Sequence, residues 1–187
     1  MAMDSSKYSI IPLVSGGMDS LVMLHRIIKE GHRIPFAIAY EYGQRHVKEL
    51  QYARKGCNRF GVKLSVLQLP PIPGSMLTDG GGVSYEVPYR NALFILTAAA
   101  YAKRAKATRI AIGINKQDAA DYPDCCIGFL AQLNNMMAFC GDIVATAPLI
   151  QMTKADIRKE AERLGIESWS CYRGGAEPCG ECIACRL

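Results

Sequence analysis

The sequence predicts an α/β fold: one parallel sheet with helices on both faces, followed by a tail that carries four cysteines. Three observations carry that reading. Short β-branched or apolar runs alternate with longer stretches of helical period, which is the pattern of strand-helix-strand units. The first apolar run ends in a glycine pair, "LVSGGMDSLVML". Four of the eight cysteines crowd into the final 17 residues, where no hydrophobic period is left. With 187 residues, half of them apolar, the chain is long enough for one sizeable core. The expected division is a single domain over 1–165 and a tail over 166–187.

The elements follow in order. The run "SIIPLV" predicts a strand over 9–14, and the amphipathic stretch after the glycines predicts a helix over 19–30. Strands over 34–40 and 63–69 flank a helix over 46–60. Gly31 and Gly61 stand where helices end in a left-handed cap. The segment 70–88, "PPIPGSMLTDGGGVSYEVP", is too rich in Pro and Gly and too long for an ordinary connection. It is read as an active-site lid or a surface loop. The helix expected over 90–106 contains the longest apolar stretch, "ALFILTAAAYA", well short of the roughly 20 residues that a membrane span needs. Strands over 109–113 and 143–146 enclose a helix over 127–139, and Thr153 with Asp156 forms a capping box for a last helix over 153–164.

Composition narrows the function classes. The N-terminal "MAMDSSKYS" has no apolar run and resembles neither a secretory signal nor a transit peptide, so a cytosolic protein is expected. The net charge of +5 comes from scattered residues with no block of like charges, which argues against direct nucleic-acid binding. In the reducing cytosol the cysteines are not expected to form a disulfide framework.

The glycine pair carries the first chemistry. Adjacent glycines let the backbone turn with positive φ and let a ligand approach without meeting a Cβ. The free N–H groups of the helix that follows favour an anion, and Ser15 and Ser20 add hydroxyls. A carboxylate at Asp19 would repel a phosphate unless a cation intervened, which points to Mg²⁺.

The tail carries the second. Cys171, Cys179, Cys182 and Cys185 supply four thiolates, and Gly174, Gly175 and Gly180 let the chain fold round an ion. Structural Zn²⁺ is the expectation, with an iron–sulfur cluster as the alternative. With four sulfur ligands no position is left for a catalytic water.

Three further segments face a site at the carboxyl ends of the strands. "YGQRH" brings Gln44, Arg45 and His46, and "VPYRN" brings Arg90 and Asn91 to a helix start. An arginine there suits a phosphate or carboxylate. "GINKQDAADYPDCC" packs Asp118, Asp121, Tyr122, Asp124, Cys125 and Cys126 into one connection, a set able to read a heterocycle's donor edge and stack on it.

"SGGMDS" resembles the S-G-G-x-D-S loop of the ATP pyrophosphatase superfamily, in which the turn holds the pyrophosphate part of ATP. Together with "YGQRH", "VPYRN", "YPDC", "TKADI", "WSCY" and "CGECIACRL", the whole from about Ile11 onward resembles the 7-cyano-7-deazaguanine synthase family. The resemblance implies a Rossmann-like, adenine nucleotide alpha hydrolase-like fold. It also implies a ligase, usually a homodimer, that turns 7-carboxy-7-deazaguanine, ammonia and ATP into the nitrile on the way to queuosine, archaeosine or a modified DNA base. On that reading the nucleotide contacts span Val14, Ser15, Gly16, Gly17, Met18, Asp19, Ser20, Leu21, Val22, Met23 and Leu24. Asp19, Arg90 and Lys154 would be catalytic, and Gln44, Arg90, Asn91, Asp118, Tyr122 and Asp124 would bind substrate. Tyr89 stands where the family usually has glycine, and Cys126 where it usually has arginine. The rival readings are a tRNA-thiolating enzyme of the same superfamily using Cys125 or Cys126, and a non-catalytic zinc-binding interaction module.

Overall fold

A computed structural model describes residues 7–45, 47–78, 80, 84–173, 175 and 177–186. Five parallel strands alternate with helices: β1 (Ile10–Pro12), α1 (Met18–Lys29), β2 (Ala37–Glu41), α2 (Lys48–Arg59), β3 (Leu64–Gln68), α3 (Arg90–Arg104), β4 (Arg109–Ala111), α4 (Asp118–Asp121), α5 (Ile127–Met137), β5 (Val144–Thr146), α6 (Lys154–Leu164) and α7 (Ile183–Arg186). The expected strands and long helices are all present, with ends displaced by a few residues. The sequence reading did not separate α4, the 3-10 turn Pro123–Cys125 or α7 from their loops. Among the described residues no helix is long and apolar enough to cross a membrane.

β1, β4 and β5 form one ladder and β2 with β3 another. Isolated parallel bridges, Ser9 with Arg33 and Leu13 with Ile38, join them into the spatial order 3-2-1-4-5. Pro12 gives a reason for the interruption. The N–H groups of Ile10 and Val14 donate to the carbonyls of Arg33, ahead of β2, and of Ile38 in β2 (2.8 and 2.7 Å), and the residue midway between them has no N–H to give.

Period-two alternation sends Ile11, Leu13, Ile38, Tyr40 and Ile110 to one face, packed with Ile95 and Ala98 of α3 and Leu130 and Leu133 of α5. Ile10 and Ala111 pack on the other face with Val22, Met23 and Ile27 of α1 and Ile157 of α6. There too Ala37 and Ala39 meet Leu50, Ala53 and Cys57 of α2. Both faces are covered, as a parallel sheet requires. Strand order reverses between β1 and β4, so the loops leaving their carboxyl ends diverge and leave a crevice.

Gly31 (φ 75) and Gly61 (φ 68) take the expected left-handed conformation, and Thr153 with Asp156 makes the complete capping box of α6. The long segment before α3 is anchored into the body. Leu77 and Val87 are buried in the main core, Ser75 is fully buried, and the Arg45 N–H donates to the Leu77 carbonyl (2.9 Å).

Candidate active site

The chain leaves β1 through Ser15, Gly16 and Gly17 and enters α1 at Met18. Positive φ is confined to Gly16 (φ 97), while Gly17 is extended (φ −72, ψ 158), so the expectation that both glycines turn this way holds for one. The reason for glycine at 16 is also different from close ligand approach. A Cβ there would lie 2.0 Å from the Glu49 carbonyl oxygen and 2.7 Å from the Ala53 nitrogen, so α2 packs directly on the loop backbone. The Ser20 hydroxyl donates to the Gly17 carbonyl (2.9 Å) and accepts from the Gly16 N–H (3.3 Å), holding the turn from inside. Val14, Leu21, Val22, Met23 and Leu24 are core residues. The expected nucleotide-contact span therefore divides into the Ser15–Ser20 loop and five residues whose side chains fill the core.

Asp19 lies in the first turn of α1 and receives help from two distant elements. Its Oδ2 pairs with the Lys154 ammonium and accepts from Asn115 Nδ2 (3.3 Å). Its Oδ1 is buried and has no hydrogen-bond partner. Such an oxygen is costly to leave unmatched, and a hard cation is the partner it suits. Asn115, fully buried, also donates to Asp118 Oδ2 (2.8 Å) and accepts from the Gln117 N–H (2.9 Å). Burial pushes the Asp118 carboxyl up, against the Lys154 charge. The Lys154 N–H donates to Gln117 Oε1 (3.0 Å), so α6, the loop after β4 and α1 meet at the crevice.

On its other side the Arg90 guanidinium donates to the Tyr42 hydroxyl (3.3 Å). Burial works against the charge of Arg90, but Tyr42 and the carboxylates Asp124 and Glu49 outweigh it and hold the guanidinium charged. Tyr122 is half-buried, and burial raises its phenol against the influence of Arg90. Tyr172, from the tail, is likewise raised by burial and feels Tyr122, Arg90 and Asp118.

Two residues expected to bind substrate have partners within the protein. Gln44 accepts from the Tyr42 N–H (2.7 Å) and donates to the Tyr40 carbonyl (2.8 Å). Asn91 donates to the Asp124 carbonyl (3.2 Å) and to Cys125 Sγ (3.3 Å), and its own N–H goes to the Asp124 carboxylate (3.2 Å). Asp124 thereby caps α3 from another loop. His46 and Gly174 lie outside the described residues.

The sequence reading missed Tyr42, Asn115, Trp169 and Tyr172 as site residues. Asn115 sits in the "GIN" string and Tyr172 in "WSCY", but a lone asparagine or tyrosine carries no spacing signal.

The tail gathers Cys171, Cys179, Cys182 and Cys185 with their sulfur atoms all within 4.8 Å of one another. The Cys179 N–H points at Cys171 Sγ (3.4 Å) and the Cys182 N–H at Cys179 Sγ (3.3 Å), contacts that stabilise thiolates. One ion ~2.3 Å from each sulfur suits such a cluster. Gly180 (φ 67) makes the turn inside the first C-x-x-C pair, between Cys179 and Cys182. The tail packs back on the Ser15–Ser20 loop, with the Trp169 backbone N–H donating to the Gly16 carbonyl (3.1 Å).

Cys125 is buried, and burial followed by the Asp124 charge pushes its thiol up to about 12, so it is not a ready nucleophile. Cys126 caps α5 by accepting from the Phe129 N–H (3.4 Å).

A family model described as "Queuosine biosynthesis protein QueC" matches residues 9–187. The 7-cyano-7-deazaguanine synthase of Synechococcus elongatus is 36% identical over 202 residues, covering 95% of this chain and 87% of the relative. That of Agrobacterium fabrum is 35% identical over 197 residues, covering 94% and 83%. Among solved structures, U34-tRNA thiolase NcsA from Methanococcus maripaludis with its 4Fe-4S cluster superposes with a TM-score of 0.64 at 18% identity, covering 99% of this chain and 65% of that one. NMN synthetase from Francisella tularensis gives 0.60 at 15%, covering 95% and 72%. These two similarities speak to the fold, which is adenine nucleotide alpha hydrolase-like.

Proposed function

The chain belongs to the QueC family of queuosine biosynthesis proteins, and on that premise we propose that it makes 7-cyano-7-deazaguanine from 7-carboxy-7-deazaguanine, ammonia and ATP. It is an ATP-dependent ligase of 7-deazaguanine biosynthesis. The observation that carries the assignment of residues is the buried, unpartnered Oδ1 of Asp19 beside Lys154 and the Ser15–Ser20 loop.

A carboxylate is a poor electrophile because its oxygen is a bad leaving group. In the proposed reaction the substrate carboxylate oxygen attacks the α-phosphorus of ATP and pyrophosphate leaves. Ammonia then attacks the carbonyl carbon and AMP departs, giving the amide. The amide oxygen attacks the α-phosphorus of a second ATP and a second pyrophosphate leaves, and loss of AMP and of the two amide protons gives the nitrile.

The N–H groups of the α1 start and the Ser15 hydroxyl would cradle the departing pyrophosphate, with Lys154 and Arg90 offsetting its charge. Asp19 would hold Mg²⁺, which shields the triphosphate. Tyr122, Asp118 and Asp124 would orient the deazaguanine. Gln44 and Asn91 would act by fixing the loops that carry Tyr42, Arg90 and Asp124.

The four clustered sulfurs suit Zn²⁺. A cluster would place each thiolate on a separate iron facing outward and spread the sulfurs wider than a single ion does. A homodimer is supported by the apolar side chains that α3 leaves at the surface, Leu93, Leu96 and Tyr101. Work in the cytosol on free or delivered ammonia completes the reading.

Incubating the purified chain with the carboxylated deazaguanine, ATP, Mg²⁺ and ammonium tests it. AMP, pyrophosphate and the nitrile are expected by mass spectrometry, whereas ADP with phosphate would refute adenylation. Cys125→Ala is expected to keep nitrile formation, which a persulfide-dependent thiolase would not tolerate.

A further inference from the structure

We propose that Trp169 is a positioning residue for the nucleotide, and that it works through the peptide plane between Gly16 and Gly17. This rests on the reading of the Ser15–Ser20 loop as the ATP site.

In a trans peptide the carbonyl of one residue and the N–H of the next point in opposite directions in a single plane. Whatever fixes the Gly16 carbonyl therefore aims the Gly17 N–H. The Trp169 backbone N–H donates to that carbonyl (3.1 Å), while the Gly17 N–H, at the exposed side, donates to Ser15 Oγ (3.2 Å), a bond that a phosphate oxygen would take over in the proposed complex. The lock is needed because a glycine-glycine plane has little steric resistance to flipping. A flipped plane would aim a carbonyl oxygen, instead of a donor, at the phosphates.

Trp169 is itself held on several sides. Its indole Nε1 donates to the Cys171 carbonyl (3.1 Å), the Lys48 ammonium lies 4.0 Å from the ring centroid, and the Tyr52 ring is 5.9 Å away. The side chain is 4% exposed. Its backbone is only one residue from Cys171, so the cysteine cluster and the phosphate loop share a short rigid connection. The tail is thereby a working part of the nucleotide site, beyond any contribution to stability.

Two measurements test this, both on the intact chain with its zinc content assayed. Trp169→Phe removes the indole donor and loosens the lock. With zinc content unchanged, it is expected to raise Kd for ATP with Mg²⁺, and KM for ATP, by about fivefold or more, a typical coupling between linked sites, with little change in kcat.

The second measurement uses the unmutated chain and stands even where the variant fails to fold. Trp169 is the chain's one tryptophan, so ¹⁵N-tryptophan labelling gives one backbone amide signal. If nucleotide binds the locked plane, ATP with Mg²⁺ must slow hydrogen exchange at that amide by a comparable factor. Saturating nucleotide with unchanged exchange would overturn the proposal and leave the ATP site standing. No nucleotide binding at all by the zinc-loaded chain would instead sink the proposed function.

Discussion

Position 89 puts a tyrosine into left-handed backbone (φ 58) at the start of α3, a conformation that favours glycine. The αL conformation costs an L-residue roughly 1–2 kcal/mol, and the Tyr89 ring, 82% exposed, returns little through packing. Tyr89→Gly is therefore expected to stabilise the chain by about 1 kcal/mol, part of the relief being lost to the greater freedom of glycine when unfolded. That raises Tm by about 2–4 °C for a chain of this size, measurable by calorimetry. An unchanged or lower Tm would mean that the ring has a role of its own. The α3 start tolerates the tyrosine because Asp124 caps it from another loop, accepting the Asn91 N–H (3.2 Å). Cys126, which follows "YPDC", caps α5 with its sulfur. That gives Cys126 a structural role.

At the scale of the element, α6 does most to complete the site. Its start is fixed by the Thr153 hydroxyl accepting from the Asp156 N–H (3.2 Å), and Asp156 returns a bond to the Thr153 N–H (3.3 Å). Lys154, the first residue of the helix, is thereby aimed at Asp19, and its N–H is tied to Gln117 (3.0 Å). Thr153→Ala is expected to cost about 1 kcal/mol in urea denaturation and to lower the rate of AMP release, because the lysine loses its mooring. Thr153→Ser should restore both. Loss of stability without loss of rate would show that Lys154 is placed by its ion pair alone. The same logic applies to α1, whose first turn carries Asp19 and whose inner face fills the core with Leu21 through Leu24.

For the molecule as a whole, two thiols on opposite faces of the sheet open the alkaline limb of stability, ahead of the phenols of Tyr40, Tyr42, Tyr122 and Tyr172 that burial also raises. Burial pushes Cys57 up to about 11 and Cys125 up to about 12, above an ordinary thiol value of about 8.5. The folded chain then keeps protons that the unfolded chain releases. Their contribution is complete below about pH 8.5 and is lost as pH rises towards 11 and 12. The urea midpoint should fall between about pH 8 and pH 11, and fall less in Cys57→Ala/Cys125→Ala. An equal decline in both would place the alkaline sensitivity elsewhere.

The alternating strands, the amphipathic helices, the two glycine caps and the capping box were all legible in the sequence, because each is a relation between neighbours along the chain. So was the cysteine tail, since two overlapping C-x-x-C pairs are a spacing, and so was the "SGGMDS" turn. Asn115 reaching Asp19 across 96 positions and Lys154 across 135 follow from strand order, which no local pattern specifies. Gln44 is held by its near neighbours Tyr40 and Tyr42, whereas Asn91 meets Asp124 across 33 positions through strand order as well. The seat of Trp169 on Gly16 was decided the same way. By itself the sequence determined which segments form and which residue types could do the chemistry. Only the tertiary structure decided which of them share a crevice, because the 3-2-1-4-5 sheet brings the ends of β1 and β4 together and the packed tail closes over them.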